Sequence, residues 1–162
     1  MNVYTVAHAL RRFRKYWKAY VIQSALAGMT VYLILLALSL ENAVVISALG
    51  ASAFIVFARP FDLTARARNV IGSHMIGFVV GSLCALLPQT STAATVGWYA
   101  LAVGVSIFLM VVFYFQHPPA AATALGLAMR GCSEEMIIAI LTITLGLAAA
   151  HFILKPHLRN LF

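Results

Sequence analysis

Acidic side chains are nearly missing from this sequence, which has four Asp and Glu in 162 residues and only 9% charged residues of both signs. A soluble domain carries about 25% charged residues, so this chain cannot cover the surface of a water-soluble fold. No hydrophilic stretch is long enough for a second domain. Cysteine is scarce too. Cys84 and Cys132 are the only two, and Cys84 falls inside an apolar run, so both read as small buried hydrophobes rather than a disulfide framework. There is no glycine-rich phosphate loop, no histidine pair with metal-ligand spacing and no usable carboxylate dyad, since the adjacent Glu134 and Glu135 would point apart on a helix. Enzyme activity, a metal site and a cofactor are therefore not expected. Nor is a removable signal peptide: the first apolar run comes late, is long enough to span and lacks a small-residue cleavage site.

What the chain does have is apolar residues, at 63% with a mean hydropathy of +0.96. Lipid is the solvent that such a surface requires. The formal charge of +7 does not call for nucleic acid, because of where the cations sit. Arg11, Arg12, Arg14, Lys15 and Lys18 precede the first long apolar run. Arg59, Arg66 and Arg68 share one short connection, and Lys155 and Arg159 follow the last run. Basic residues gathered at span ends mark the cytoplasmic side of a membrane protein.

The fold class that follows is all-α, a polytopic helical membrane protein. Residues 1–20 read as a basic amphipathic helix in the membrane surface: Val3, Val6, Leu10, Phe13, Trp17 and Tyr20 recur at helical spacing among the cations. A cytosolic extension of the first span fits the same pattern. Residues 21–162 form a single transmembrane domain. Val21 to Leu40 matches the roughly 20 residues a span needs, and Glu41 and Asn42 end it. Ala43 to Ala58 is a short segment of roughly 24 Å. Val70 to Leu87 and Val96 to Phe115 are long spans, 118–129 is a second short segment, and Met136 to Leu154 is the last span.

With the basic ends in the cytoplasm, the chain is expected in the cytoplasmic (inner) membrane with both termini on the cytoplasmic side. Each half then reads long, short, long, and three segments per half give the halves opposite orientations. Ser47-Ala48-Leu49-Gly50 in one short segment is similar to Thr123-Ala124-Leu125-Gly126 in the other. Inverted 3+3 repeats with short helices are a recurring transporter design, with the site at their interface. Ser73, Gly77, Gly81 and Ala85 line one helix face, as do Thr142, Gly146 and Ala150, which suits close packing within the chain or between subunits.

The chemistry concentrates at His117-Pro118-Pro119. Two prolines suit only the first turn of a helix, so a helix restarts there. A helix start presents free N–H groups and partial positive charge, which together suit an anion. Thr123 lies about a turn further on, and Ser47 occupies the matching place in the other half; either hydroxyl could bind an anion or its own helix backbone. His74 is a polar residue inside a span, a functional candidate or a buried interhelical hydrogen bond. His151, near the inner end of its span, reads as interfacial.

The run from His117 to Leu125 resembles the HPP family of integral membrane proteins, named for that tripeptide. Gly50-Ala51-Ser52-Ala53, with the apolar residues to Phe57, is similar to a second family stretch. Arg68-Asn69-Val70-Ile71-Gly72-Ser73-His74 is similar to a third, built on Pro-Arg-Asn with a following Gly and His. Together they cover about half of the chain in the family's order. Ala67 stands where the family usually has Pro, and Ser73 where a second Gly is common. Some members carry soluble CBS domains; none is expected here. The resemblance implies a compact helical membrane domain whose plastid and cyanobacterial relatives are assigned to nitrite transport.

Two functions are carried forward. The first is a channel or carrier for a small monovalent anion, foremost nitrite, with a site drawn from His117, Pro118, Pro119, Thr123, Ser47, Gly50, Ser52, His74 and Asn69. His117 or His74 would supply a proton or switchable charge, a histidine's unperturbed pKa being ~6.5. The second is a non-transporting scaffold or subunit acting with a partner protein. The expected partners are the lipid bilayer and the anion, and the chain's small size points to a homo-oligomer.

Overall fold

The structure is a computed structural model. It describes the backbone of residues 3–36 and 43–162, with the side chains of Arg11, of 14–36 and of 48–162. Six α-helices follow one another: α1 (Val3–Leu36), α2 (Ala43–Ala58), α3 (Ala67–Ala85), α4 (Thr92–Val112), α5 (Ala120–Arg130) and α6 (Glu134–Leu154). No strand occurs among the described residues. Each expected segment has its helix, including both short ones. Glu41 and Asn42 lie outside the described residues.

Two boundaries differ from expectation. The basic segment and the first span form one unbroken helix of 34 residues. Nothing between Arg14 and Ala27 is Pro or Gly, so no residue there forces a break. The second difference concerns α3. Among the described residues, three helices are long and apolar enough to cross a membrane: Arg14–Leu36, Thr92–Val112 and Glu134–His157. Although α3 sits where a fourth long span was expected, it is not among them. Asn69, Ser73 and His74 dilute its hydropathy, and all three are buried in the protein. Only 11% of the α1 span and 17% of the α4 span are buried, against 39% for α6. Thus α1 and α4 are peripheral, their exposed Met29, Leu33, Phe108 and Val111 suited to lipid.

Local sequence explains the helix ends. Ser91 caps α4 by accepting from the Ala94 N–H, and Ser133 caps α6 by accepting from the Met136 N–H. Each satisfies an otherwise orphaned helix-start donor. Gly131, at φ +80°, closes α5 in a conformation that L side chains rarely adopt.

The helix contacts pair off between halves. The α1–α2, α1–α6 and α2–α6 contacts recur as α4–α5, α3–α4 and α3–α5, while α2–α5 and α3–α6 map onto themselves. Exchanging α1 with α4, α2 with α5 and α3 with α6 therefore leaves the principal contacts unchanged. That is the pattern a 3+3 repeat produces.

Glycine sets the closest of these contacts. A Cβ built at Gly77 would lie 2.5 Å from the Ala120 carbonyl oxygen, and one at Gly81 would collide with the backbone of Ala124. The small-residue face of α3 is thus spent on packing within the chain, against α5. Gly146 on α6 lies against Ile34 of α1 in the same way.

One end of the bundle collects the basic connections. Gln23 of α1 donates to the carbonyls of Phe57 and Arg159 and accepts from the Arg159 N–H. Tyr20 Oη donates to the Leu161 carbonyl at 2.9 Å. His151, expected at the interface, is buried and donates to the Pro60 carbonyl at 2.7 Å. The carboxyl-terminal tail bonds to the end of α2 and the 59–66 connection, the Leu161 N–H to the Ala58 carbonyl and the Phe61 N–H to Asn160 Oδ1. Arg59, Arg66, Arg68, Lys155 and Arg159 consequently share an end, as the topology requires.

Candidate functional site

At that same end the chain leaves α4 through a tight reversal. The Phe115 N–H bonds to the Met110 carbonyl and the Tyr114 N–H to that of Val111, the two bonds of a Schellman helix stop. Tyr114 takes the left-handed position at φ 57°, where glycine is usual. Ser73 Oγ then donates to the Phe115 carbonyl at 2.6 Å, tying the reversal to α3. The Phe115 ring rests over Gly72, and the Arg68 guanidinium lies 4.8 Å from its centroid. These contacts deliver His117 into the protein.

Pro118 and Pro119 form a turn that opens α5. The N–H groups of Ala120, Ala121 and Ala122 bond back to the carbonyls of His117, Pro118 and Pro119 at 3.0, 3.0 and 3.1 Å. The helix-start amides expected to be free are therefore already paired: the rigid prolines hold their own carbonyls within reach. The remaining polar chemistry lies in the side chains beside them.

Four of those form a continuous buried chain. His117 Nδ1 lies 2.7 Å from the Thr64 carbonyl, and its Nε2 lies 2.9 Å from Ser52 Oγ. Ser52 Oγ lies 3.4 Å from His74 Nε2, and His74 Nδ1 lies 2.8 Å from Thr123 Oγ1. The two imidazole centroids are 5.4 Å apart. Ser52, His117 and Thr123 are fully buried and His74 nearly so. Thus α2, α3, α5 and the connection before α5 each contribute one member.

The order of protons along this chain follows from one end. A carbonyl only accepts, so His117 Nδ1 carries a hydrogen and its neutral Nε2 accepts from the Ser52 hydroxyl. Ser52 oxygen then accepts from His74 Nε2–H, and His74 Nδ1 accepts from the Thr123 hydroxyl. All four ring nitrogens are satisfied, and every partner is uncharged. A fully satisfied buried network holds its members in one arrangement.

His117 also borders an open cavity of about 340 Å³, lined by Thr64, Met110, Gln116, Pro118 and Ala121, with the exposed Ile107 and Val111 on its outer side. Its walls are mainly apolar, with His117, Thr64 and Gln116 as the polar exceptions. Arg66 and Arg68 are exposed at the same end.

Of the residues expected at the site, His117, His74, Ser52 and Thr123 come together, with Pro118 and Pro119 forming the adjoining turn. Asn69 is buried but stands apart, donating to the Leu63 carbonyl at 2.7 Å and so holding the connection that carries Thr64. Gly50 is exposed with open space around it, because its position in α2 turns it away from the bundle. The Ser47 side chain lies outside the described residues. Thr64 and Gln116 were not expected. Thr64 acts through its backbone, which leaves no mark in sequence, and Gln116 could have been suspected only from its place beside His117.

Comparison with known proteins places the chain in a family. The family model described as HPP, transmembrane region, matches residues 11–158. A transmembrane protein of Dictyostelium discoideum is 39% identical over 89 residues, covering 55% of this chain and 31% of the relative. A second transmembrane protein of that organism is 33% identical over 85 residues, covering 52% and 27%. The chain therefore aligns with about a third or less of either relative's length. No solved structure matches it. With the family model matching from Arg11 through Leu158, this chain is a membrane protein that belongs to the HPP transmembrane family.

Proposed function

We propose that this protein moves a small monovalent anion across a cytoplasmic membrane, with nitrite as the foremost substrate. The observation that carries this reading is the buried His117–Ser52–His74–Thr123 chain. Polar and ionisable groups inside a membrane domain are costly and characteristically line ion or proton pathways. Here they join both short helices to α3, at the interface of the two halves, where transporters of this design place their sites.

The anion enters from the cationic end, drawn by Arg66 and Arg68, and occupies the cavity beside His117 and Gln116. The Gln116 amide, which is not part of the satisfied chain, offers a neutral donor there. A neutral donor suits a monovalent anion, because a fixed charge would hold it too tightly to release. The basic first part of α1 lies in the headgroup layer of the cytoplasmic face.

Flux in liposomes containing only this protein tests the proposal, with nitrite, nitrate, formate and chloride compared. Nitrite-selective flux is expected. Thr123→Val, which keeps the side-chain shape but leaves His74 Nδ1 unpartnered, should reduce it at least about tenfold, the equivalent of ~1.4 kcal/mol in a barrier. No flux of any anion from folded protein would favour the alternative, a non-transporting subunit working with a partner.

The orientation has its own test. Cys132 is exposed and Cys84 buried, and Cys132 lies in the α5–α6 connection beside Arg130, at the end opposite the 59–66 connection. A membrane-impermeant maleimide added to intact cells should label Cys132 and leave Cys84 unmodified. Labelling of Cys132 only after the membrane is opened would reverse the topology.

A further inference from the structure

We propose that the Ser52-bridged pair of His74 and His117 takes up one proton, and that this proton travels with the anion. This rests on the transport reading above and adds its driving ion.

The geometry provides a site for one proton and not two. In the neutral chain the Ser52 hydrogen is directed to His117 Nε2. Uptake forms an N–H bond at that nitrogen, using its lone pair, while an O–H bond of a hydronium ion breaks and leaves water. The Ser52 hydroxyl swings its hydrogen aside, and its oxygen then accepts from both rings, at the 2.9 and 3.4 Å positions they already hold. A second proton would place two cations with ring centroids 5.4 Å apart, and like charges at such a distance oppose each other's formation.

Among the described residues, no carboxylate stands ready to balance the cation. Asp62 is paired with Arg59 at 2.8 Å, and Glu134 and Glu135 begin α6 at the opposite end. The elements around the pair offer only neutral groups: Ser52 from α2, Met110 from α4 and Thr123 from α5. The cations nearest in sequence are directed elsewhere, Arg66 being exposed and Arg68 lying over the Phe115 ring. A buried imidazolium without a counter-ion is costly. The anion in the adjoining cavity supplies that counter-ion, so each ligand raises the affinity for the other, a reciprocal coupling. Proton and anion then enter and leave together.

The test has two arms on the intact protein. In lipid nanodiscs, nitrogen-15 spectra of labelled histidine should show opposite neutral tautomers, Nδ1–H on His117 and Nε2–H on His74. Lowering the pH should add one N–H to the pair as a whole, and nitrite should shift that titration to higher pH. Identical tautomers, or two rings that become cationic together, would overturn the proposal. In proteoliposomes, one-for-one coupling makes nitrite uptake electroneutral and so insensitive to a potassium–valinomycin potential. Uncoupled movement of a monovalent anion would instead respond with a driving ratio of about 50-fold per 100 mV. Voltage-driven nitrite flux would overturn the coupling while leaving the transport reading intact; absence of flux would remove both.

Discussion

Gly81→Val is expected to prevent the bundle from forming, so that the variant elutes from size exclusion in detergent as aggregate. A Cβ at this position meets the backbone of Ala124 and the Leu127 Cβ, the latter at 2.8 Å. A flexible side-chain tip could move aside, but two helix backbones can only separate. Moving α5 away from α3 would also pull Thr123 from His74 and His117 from Ser52. Overpacking of a well-filled core costs about 1–3 kcal/mol, occasionally more, and the upper end is expected where backbone is the obstacle. Gly28→Ala and Gly104→Ala are the controls. Neither glycine has anything within 4 Å of an added Cβ, and alanine favours a helix interior by about 1 kcal/mol. Both should leave melting unchanged or raise it. Equal behaviour of Gly81→Val and the controls would contradict the close α3–α5 contact.

Ser52→Ala should have the largest effect on function for the smallest change in shape. Removing one oxygen leaves His74 Nε2–H and His117 Nε2 both unpartnered in the core. Each orphaned buried group costs about 1–3 kcal/mol, so the variant should melt measurably lower while still folding. Nitrite flux should fall by at least about a hundredfold, equivalent to ~2.7 kcal/mol, because the bridge between the imidazoles is gone. Unchanged flux would make the chain a purely structural network.

Much of this architecture was legible before the structure. Apolar runs, the paired prolines, the Ser133-Glu134-Glu135 start and the clustered cations placed all six helices and their common basic end. His117, His74, Ser52 and Thr123 stood out because polar residues are rare in such runs. What the sequence hid depends mostly on backbone atoms. The Thr64 carbonyl orders the histidine protons, the Phe115 carbonyl holds the reversal through Ser73, and the Pro60 carbonyl draws His151 inward. A carbonyl belongs to every residue and marks none. Helix-start amides were misleading for the same reason: which acceptor they find is settled by the turn, and here it is the turn's own carbonyls. Gly50 shares a motif with Ser52, but two residues along a helix turn the chain by about 200°, so one faces in and the other out.

The central claim is that the buried histidine–serine–threonine chain governs the anion's passage rather than merely stabilising the fold. The most direct measurement compares nitrite uptake by Ser52→Ala and Gln23→Met in liposomes, each normalised to folded protein. Gln23 also makes buried bonds, to Phe57 and Arg159, but it lies outside the chain. The account predicts that Ser52→Ala loses uptake while Gln23→Met, once folded, retains it within about twofold, ~0.4 kcal/mol. Equal losses in both variants, or retained uptake in Ser52→Ala, would contradict it.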